Sequence, residues 1–173
     1  MKKNVKIRIR AAVTDLVLAE RYQNAVRDGF FTTDEGKTLP AESVTEAASQ
    51  IISYAVCGSC LVENGTVTIR YTEPTEVGYE NCTTSLIFRE DERDVLTMVR
   101  SGDVKAAFRF DRKERRQKCS YETPIMPIEF TVNTRSVRNT VTEEGGTMLL
   151  DYYLEVRGVN TERNRLFIEV LAL

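Results

Sequence analysis

Two apolar stripes of this 173-residue chain end in a charge: Val67, Ile69, Tyr71 and Glu73 in one, Leu96, Met98 and Arg100 in the other. Both stripes alternate with other residues at the period of a strand, so each charge continues a face directed at a core. A lone charge there is costly and ordinarily finds an opposite partner, which predicts that Glu73 and Arg100 share one interior. The register of Glu73 is fixed by Thr66, Thr68, Arg70 and Thr72 on the other face. That of Arg100 is less constrained, because Val95 and Val99 make its alternative face apolar too. Such a pair can be a salt bridge that sets strand register. It can equally anchor an acidic or hydroxylated small ligand, with Tyr71, Tyr121 and Tyr152 adding phenols, although buried tyrosines are first of all packing residues whose hydroxyl finds a hydrogen bond. A third use is catalytic, with Glu73 as general acid or base beside Tyr121.

Other chemistry is restricted by composition. The chain has no His, so Ser-His-Asp and Cys-His pairs lack their base and HExxH-type zinc sites their ligands. Cys57-Gly58-Ser59-Cys60 has the CxxC spacing of a redox motif, but Leu61, Val62 and the Asn64-Gly65 turn place it in a strand hairpin instead of at a helix N-terminus. It reads as two buried small residues beside a glycine bulge, with neither a disulfide nor a zinc ion, and no cofactor is implied. Asn81-Cys82-Thr83 matches a glycosylation acceptor without any secretion signal. A net charge of -2 and a pI near 5.4 mean that a polyanion partner would need a local patch. The one basic run, Arg109 to Lys118, carries six cations around Asp111 and Glu114, yet its lone aromatic, Phe110, falls on an inward position. With no stacking platform it reads as a solvated hairpin tip, and a nucleic-acid partner is not expected.

The elements that position these residues are mostly strands. Val5, Ile7, Ile9, Ala11 and Val13 alternate with Lys6, Arg8 and Arg10 in a first strand over 5–13, so this segment is expected to be a strand and not a signal peptide. Residues 15–28 then change period: Leu18, Tyr22, Ala25 and Val26 lie at helical spacing, with Asp15 as cap and Gly29 as stop. Val44, Ala47, Ala48 and Ile51 suggest a second short helix that starts near Pro40 and runs into a strand. From Asn64-Gly65 onward, turn signals at Ser101-Gly102, Gly145-Gly146 and Gly158 separate strands with inward candidates that include Leu86, Phe88, Phe108, Phe110, Ile128, Phe130, Val132, Leu150, Ile168 and Val170. Closing such a sheet removes its exposed edges, so the expected fold is all-β: a closed antiparallel meander barrel of about eight to ten strands. It forms a single domain over 1–173 with a helical insertion at 14–50. No segment is apolar enough to span a bilayer, and the chain is expected to be cytoplasmic with free thiols.

Tyr71-x-Glu73, Glu76-x-Gly78, Arg100-Ser-Gly102 followed by Val104-Lys105 and Arg109-Phe110, Tyr121-x-Thr123-Pro124, and Gly146 six residues before Tyr152 occur here in an order and spacing that resembles the YwiB-like family of uncharacterised calycin-type β-barrel proteins. The resemblance covers residues 5–13 and roughly 58–170. It implies a small bacterial, mostly Gram-positive, cytoplasmic barrel related in shape to lipocalins and fatty-acid-binding proteins, and it brings no activity with it. The segment of about 40 residues before Cys57 departs from the short hairpin usual in the family, and long ordered connections are commonly functional. Its helices are expected to cap a barrel mouth. The absence of Trp removes the tryptophan-bearing signature of true lipocalins. The leading expectation is thus a non-enzymatic barrel that binds a small ligand among Tyr71, Glu73, Arg100, Tyr121 and Tyr152. The alternative is a filled barrel that docks a protein or nucleic acid through its outer face or its helical insertion. Oligomeric state is left open.

Overall fold

The computed structural model describes residues 2–20, 30–32, 38–40, 49–79 and 81–173, with side chains described outside 30–32 and 38–40. Ten strands, β1 (Lys2–Asp15) and β4 (Ser49–Glu63) through β12 (Val159–Ala172), form a closed barrel in the order β1-β12-β11-β10-β9-β8-β7-β6-β5-β4. Between these lie β5 (Thr66–Thr72), β6 (Thr83–Arg89), β7 (Glu92–Ser101), β8 (Lys105–Asp111), β9 (Arg116–Glu122), β10 (Pro127–Asn139) and β11 (Gly145–Val156). Every neighbouring pair is antiparallel and, β1 with β12 and β4 apart, consecutive in sequence, so the barrel is the expected meander.

Closure follows from the termini. The inward residues of β1, Val5, Ile7 and Ile9, are fully or nearly fully buried and sit opposite Ala172, Val170 and Ile168 of β12. The ladder from β1 to β4 runs from Lys2↔Leu61 to Thr14↔Ser49 without a register shift. Asn64 and Gly65 both take positive φ, 50° and 73°, the conformation a two-residue hairpin needs to match strand twist. One end of the barrel is filled: Val67, Leu86, Leu96, Phe110, Val132 and Met148 lie between 0 and 1% exposed, and hydrophobic burial there supplies the main folding drive.

The insertion differs from expectation. Asp15 caps a helical turn over residues 16–20, its Oδ1 accepting from the Leu18 N–H at 2.9 Å, whereas 21–28 fall outside the described residues. Two short strands, β2 (Phe30–Thr32) and β3 (Thr38–Pro40), pair with each other, so the described part of the insertion holds a strand ladder besides that turn. Pro40 ends β3, and Ile51 belongs to β4 with its side chain 61% exposed. Ile51 is thus a strand residue and not part of a helix, while residues 41–48, which carry the rest of that expected helix, fall outside the described residues. Pairing with the long β1 extends β4 back to Ser49, and the period-2 stripe Ile52, Tyr54, Val56 turns Ile51 outward.

Candidate functional site

The second end of the barrel is not filled. Residues toward the ends of β1, β5, β7, β9 and β11 and toward the starts of β4, β10 and β12, with Phe108 of β8, surround a cavity of about 360 Å³ at the end where β1 finishes and β4 begins. One wall is apolar, made by Ile9, Ala11, Val13, Ile52, Leu154 and Leu166. The opposite wall carries Tyr71, Tyr79, Arg100, Tyr121 and Tyr152 over a floor that includes Met98 and Phe108. Glu162 and Asn164 of β12 form a second polar point, the Asn164 amide donating to the Glu162 carboxylate at 2.7 Å.

Glu73 and Arg100 do meet. Arg100 Nη2 lies 3.2 Å from Glu73 Oε1, with the glutamate side chain 0% and the arginine side chain 11% exposed. Thr84 Oγ1 donates to the same Oε1 at 2.5 Å, and the Tyr54 hydroxyl donates to Oε2 at 2.9 Å. Arg100 Nε reaches Thr84 Oγ1 at 3.3 Å, while the Tyr79 ring stacks on the guanidinium with its centroid 3.8 Å from Cζ. Local register explains the meeting. Tyr71 sits opposite Thr84, Thr84 opposite Arg100 and Arg100 opposite Ala106, so one transverse row crosses β5 to β8. Glu73 follows β5 and keeps its backbone N–H on the Cys82 carbonyl at 2.9 Å.

These contacts divide the expected site residues. Tyr71, Arg100, Tyr121 and Tyr152 face the cavity, whereas Glu73 does not line it and sits behind Arg100 in a closed set of hydrogen bonds. Burial, then the Glu73 carboxylate, pushes the Tyr71 phenol up. Burial, with neighbouring Tyr79, pushes Tyr121 up to about 12, and burial, with Glu162, raises Tyr152. Burial works against the charge on Arg100, but Tyr79 and then Glu73 more than offset it and hold the guanidinium above its usual value. Near neutral pH Arg100 is thus a fixed cation beside the protonated phenols of Tyr71, Tyr121 and Tyr152. Tyr54, Tyr79, Thr84, Glu162 and Asn164 were not anticipated. Thr84 continues the stripe of Leu86 and Phe88 backward, and Asn164 and Glu162 continue that of Leu166 and Ile168, so both were within reach of the periodicity; Tyr79 lies in an irregular connection and gave no such signal.

The cysteines correct one expectation. Cys60 is buried but Cys57 is exposed, because residues three apart in a strand face opposite sides. Gly58 makes no bulge; it pairs regularly with Val5 and Tyr71, and a Cβ on it would lie 2.5 Å from the Arg70 carbonyl oxygen. All four cysteines are free thiols, and among the described residues no group of His, Cys, Asp and Glu is placed to hold a metal ion. Ile128 is likewise misassigned: it is 37% exposed because residues 127–130 of β10 pair with β9 and not with β11. The basic run is a β8–β9 hairpin tip, in which Arg109 pairs with Asp111 and Arg116 with Glu155, and Phe110 is fully buried.

Residues 41–168 match the family model described as Domain of unknown function (DUF1934), and the chain belongs to that family. Its fold is similar to that in the crystal structure of the ywiB protein from Bacillus subtilis, with a TM-score of 0.68 and 16% sequence identity over 99% of this chain and 93% of that one. No curated protein matches the sequence. Among the described residues no helix is long and apolar enough to cross a membrane.

Proposed function

We propose that this member of the family is a non-enzymatic binding protein of the bacterial cytoplasm that takes one small amphipathic molecule into the open end of its barrel. The observation that carries the reading is the cavity of about 360 Å³, in which a guanidinium already held by Glu73, Thr84 and Tyr79 faces an apolar wall. That volume lies in the lower part of the range for small-molecule sites, which are typically apolar with a few placed polar groups. A carboxylate, sulfonate or phosphate on the ligand would meet Arg100, the phenols of Tyr121 and Tyr152 would supply further hydrogen bonds, and the body would lie against Ile9, Ile52, Leu154 and Leu166. Glu73 supports the site by positioning Arg100. Four free thiols accord with a reducing compartment.

The test uses anilinonaphthalene sulfonate, an apolar ring system with one anionic group, titrated against native protein and followed by its fluorescence. Saturable binding at one site per chain is expected, weakened at least tenfold in Arg100→Met and abolished when Leu166→Trp fills the apolar wall. Undiminished binding to both variants would place the dye elsewhere and overturn the reading.

A further inference from the structure

A second surface is assembled on the outside of the barrel by residues far apart in sequence. Across β1, β12, β11 and β10, the outward residues Arg10, Phe167, Leu149 and Arg138 are successive Cα partners in one transverse row. The row beside it runs Ala12, Arg165, Asp151 and Ser136, and the next Thr14, Arg163, Tyr153 and Asn133. Phe167 is 39% and Leu149 43% exposed, and Arg10, Arg138 and Arg165 are exposed around them. Two carboxylates lie within this face, and each is already engaged: Asp151 accepts both Nε and Nη2 of Arg163, at 3.0 and 2.8 Å, and Glu169 accepts Arg8 at 3.0 Å. Arg10, Arg138 and Arg165 have no carboxylate within 4 Å among the described residues. Arg135, at the β10 bulge, donates to the Tyr153 hydroxyl at 2.8 Å and lies 5.5 Å from that ring's centroid.

We propose that this face of β1, β12, β11 and β10 is a docking surface for single-stranded nucleic acid, with Arg10, Arg135, Arg138 and Arg165 on the phosphates and Phe167 stacking a base. The net charge of the chain is -2, so a cationic face requires segregation, and here six arginines stand against two paired carboxylates. The basic hairpin tip lacks an exposed aromatic, but this surface sets one between two arginines that have no carboxylate within 4 Å among the described residues, since Arg10 is opposite Phe167, and Arg165, opposite the already paired Asp151, is two residues before it. Cations that track a backbone beside an aromatic that accepts any base are the two components of sequence-tolerant single-strand binding. An acidic protein segment would use the charge and leave Phe167 without a role. Because the surface lies outside the barrel, it is independent of the cavity.

The test is fluorescence anisotropy of a labelled oligo(dT) of roughly 16 nucleotides with the full chain. Four phosphate contacts predict a slope of log affinity on log salt of about -3, equivalent to roughly fiftyfold weaker binding between about 50 and 200 mM salt. Arg10→Gln and Arg165→Gln should each reduce that slope by about 0.7. Phe167→Ala should weaken binding by roughly five- to 150-fold at unchanged slope, while Phe167→Tyr retains it. Circular dichroism of each variant separates lost docking from lost folding, and the three exposed single substitutions provide independent readings. No binding at about 50 mM salt would overturn the proposal, as would polyglutamate competing as well as unlabelled oligo(dT). So would equal losses in Arg112→Gln/Lys113→Gln at the hairpin tip.

Discussion

Exchanging Glu73 and Arg100 singly and together asks whether the pair acts as one unit. Arg100→Met leaves a carboxylate with no exposed surface and only the neutral donors Tyr54 and Thr84, an uncompensated buried charge that costs about 3 to 5 kcal/mol. Glu73→Gln is milder, because Arg100 borders the cavity and keeps its stacking on Tyr79; the lost charged hydrogen bonds cost about 1.5 to 3 kcal/mol. In the double variant the introduced glutamine still has Thr84 and Tyr54 as partners, and the introduced methionine side chain lies against an apolar cavity, so the cost should stay near that of Glu73→Gln alone. The expected coupling is then the cost of Arg100→Met itself, about 3 to 5 kcal/mol. Urea unfolding of the four proteins measures it, provided the slope on denaturant is the same in all. Single effects that add to within about 0.5 kcal/mol would show two groups that do not depend on each other and refute the reasoning.

Three further outcomes follow from burial. The phenols of Tyr54, Tyr71, Tyr121 and Tyr152 are raised by burial, Tyr121 to about 12, so the folded state holds protons that the unfolded chain releases above the ordinary value of about 10. Their contribution to stability is complete below about pH 10 and is lost as pH rises toward the folded values; ultraviolet titration should show these four ionising only with alkaline unfolding, and free ionisation near pH 10 would contradict their burial. Ellman's reagent should label Cys57 quickly and leave Cys60, Cys82 and Cys119 protected until unfolding, burial having pushed the Cys119 thiol up to about 11, and a Cys57–Cys60 disulfide after mild oxidation would contradict the strand geometry. Gly58→Ala should destabilise by about 1 to 3 kcal/mol in thermal unfolding, since its methyl would sit 2.5 Å from the Arg70 carbonyl oxygen and 2.8 Å from Ile7 Cδ1, and a neutral result would mean that the β4–β5 ladder yields easily.

What the sequence reveals depends on whether a residue's partner can be inferred from period alone. Alternation in residues 5–13 and near the C-terminus was enough to close the barrel, because each stripe needs a core and each edge a neighbour. It was also enough to bring Glu73 to Arg100, since both end stripes in the same interior. Period fails where apolar residues occupy both faces: Ile51 and Ile52 together mimic a helical step, which hid both the start of β4 and the inward Tyr54. It fails for Ile128, whose stripe is correct but whose strand has one neighbour there instead of two. It fails wholly for the outer arginine face, where Arg10 and Arg138 are set in one row only by the registers of three successive strand pairs. A local scan for basic residues selects the 109–118 tip, which is the less suited of the two.

The chemistry of the interior pair bears on why it exists. A well-packed apolar replacement of a buried ion pair is often as stable as the pair, so stability alone does not account for Glu73 and Arg100. Their placement does. The filled end of the barrel is packed with apolar side chains such as Val67, Leu96, Phe110 and Met148, whereas the pair lies at the end that remains open. Glu73 does not line the cavity, has no exposed side-chain surface and already accepts from Tyr54, Thr84 and Arg100, so its carboxylate is engaged within the protein. Arg100 is held in one orientation by that carboxylate, by Thr84 and by the Tyr79 ring, with its guanidinium forming part of the cavity wall. A binding cation fixed in this way loses little side-chain entropy when a ligand arrives, which is the gain that preorganisation offers. It follows that Glu73→Gln, although it removes nothing that lines the cavity, should weaken binding of an anionic probe through the lost restraint on Arg100, and should leave binding of an uncharged apolar probe unchanged. Equal losses for both probes would mean that the substitution had altered the cavity itself, and no loss for either would mean that Tyr79 and Thr84 suffice to hold the guanidinium.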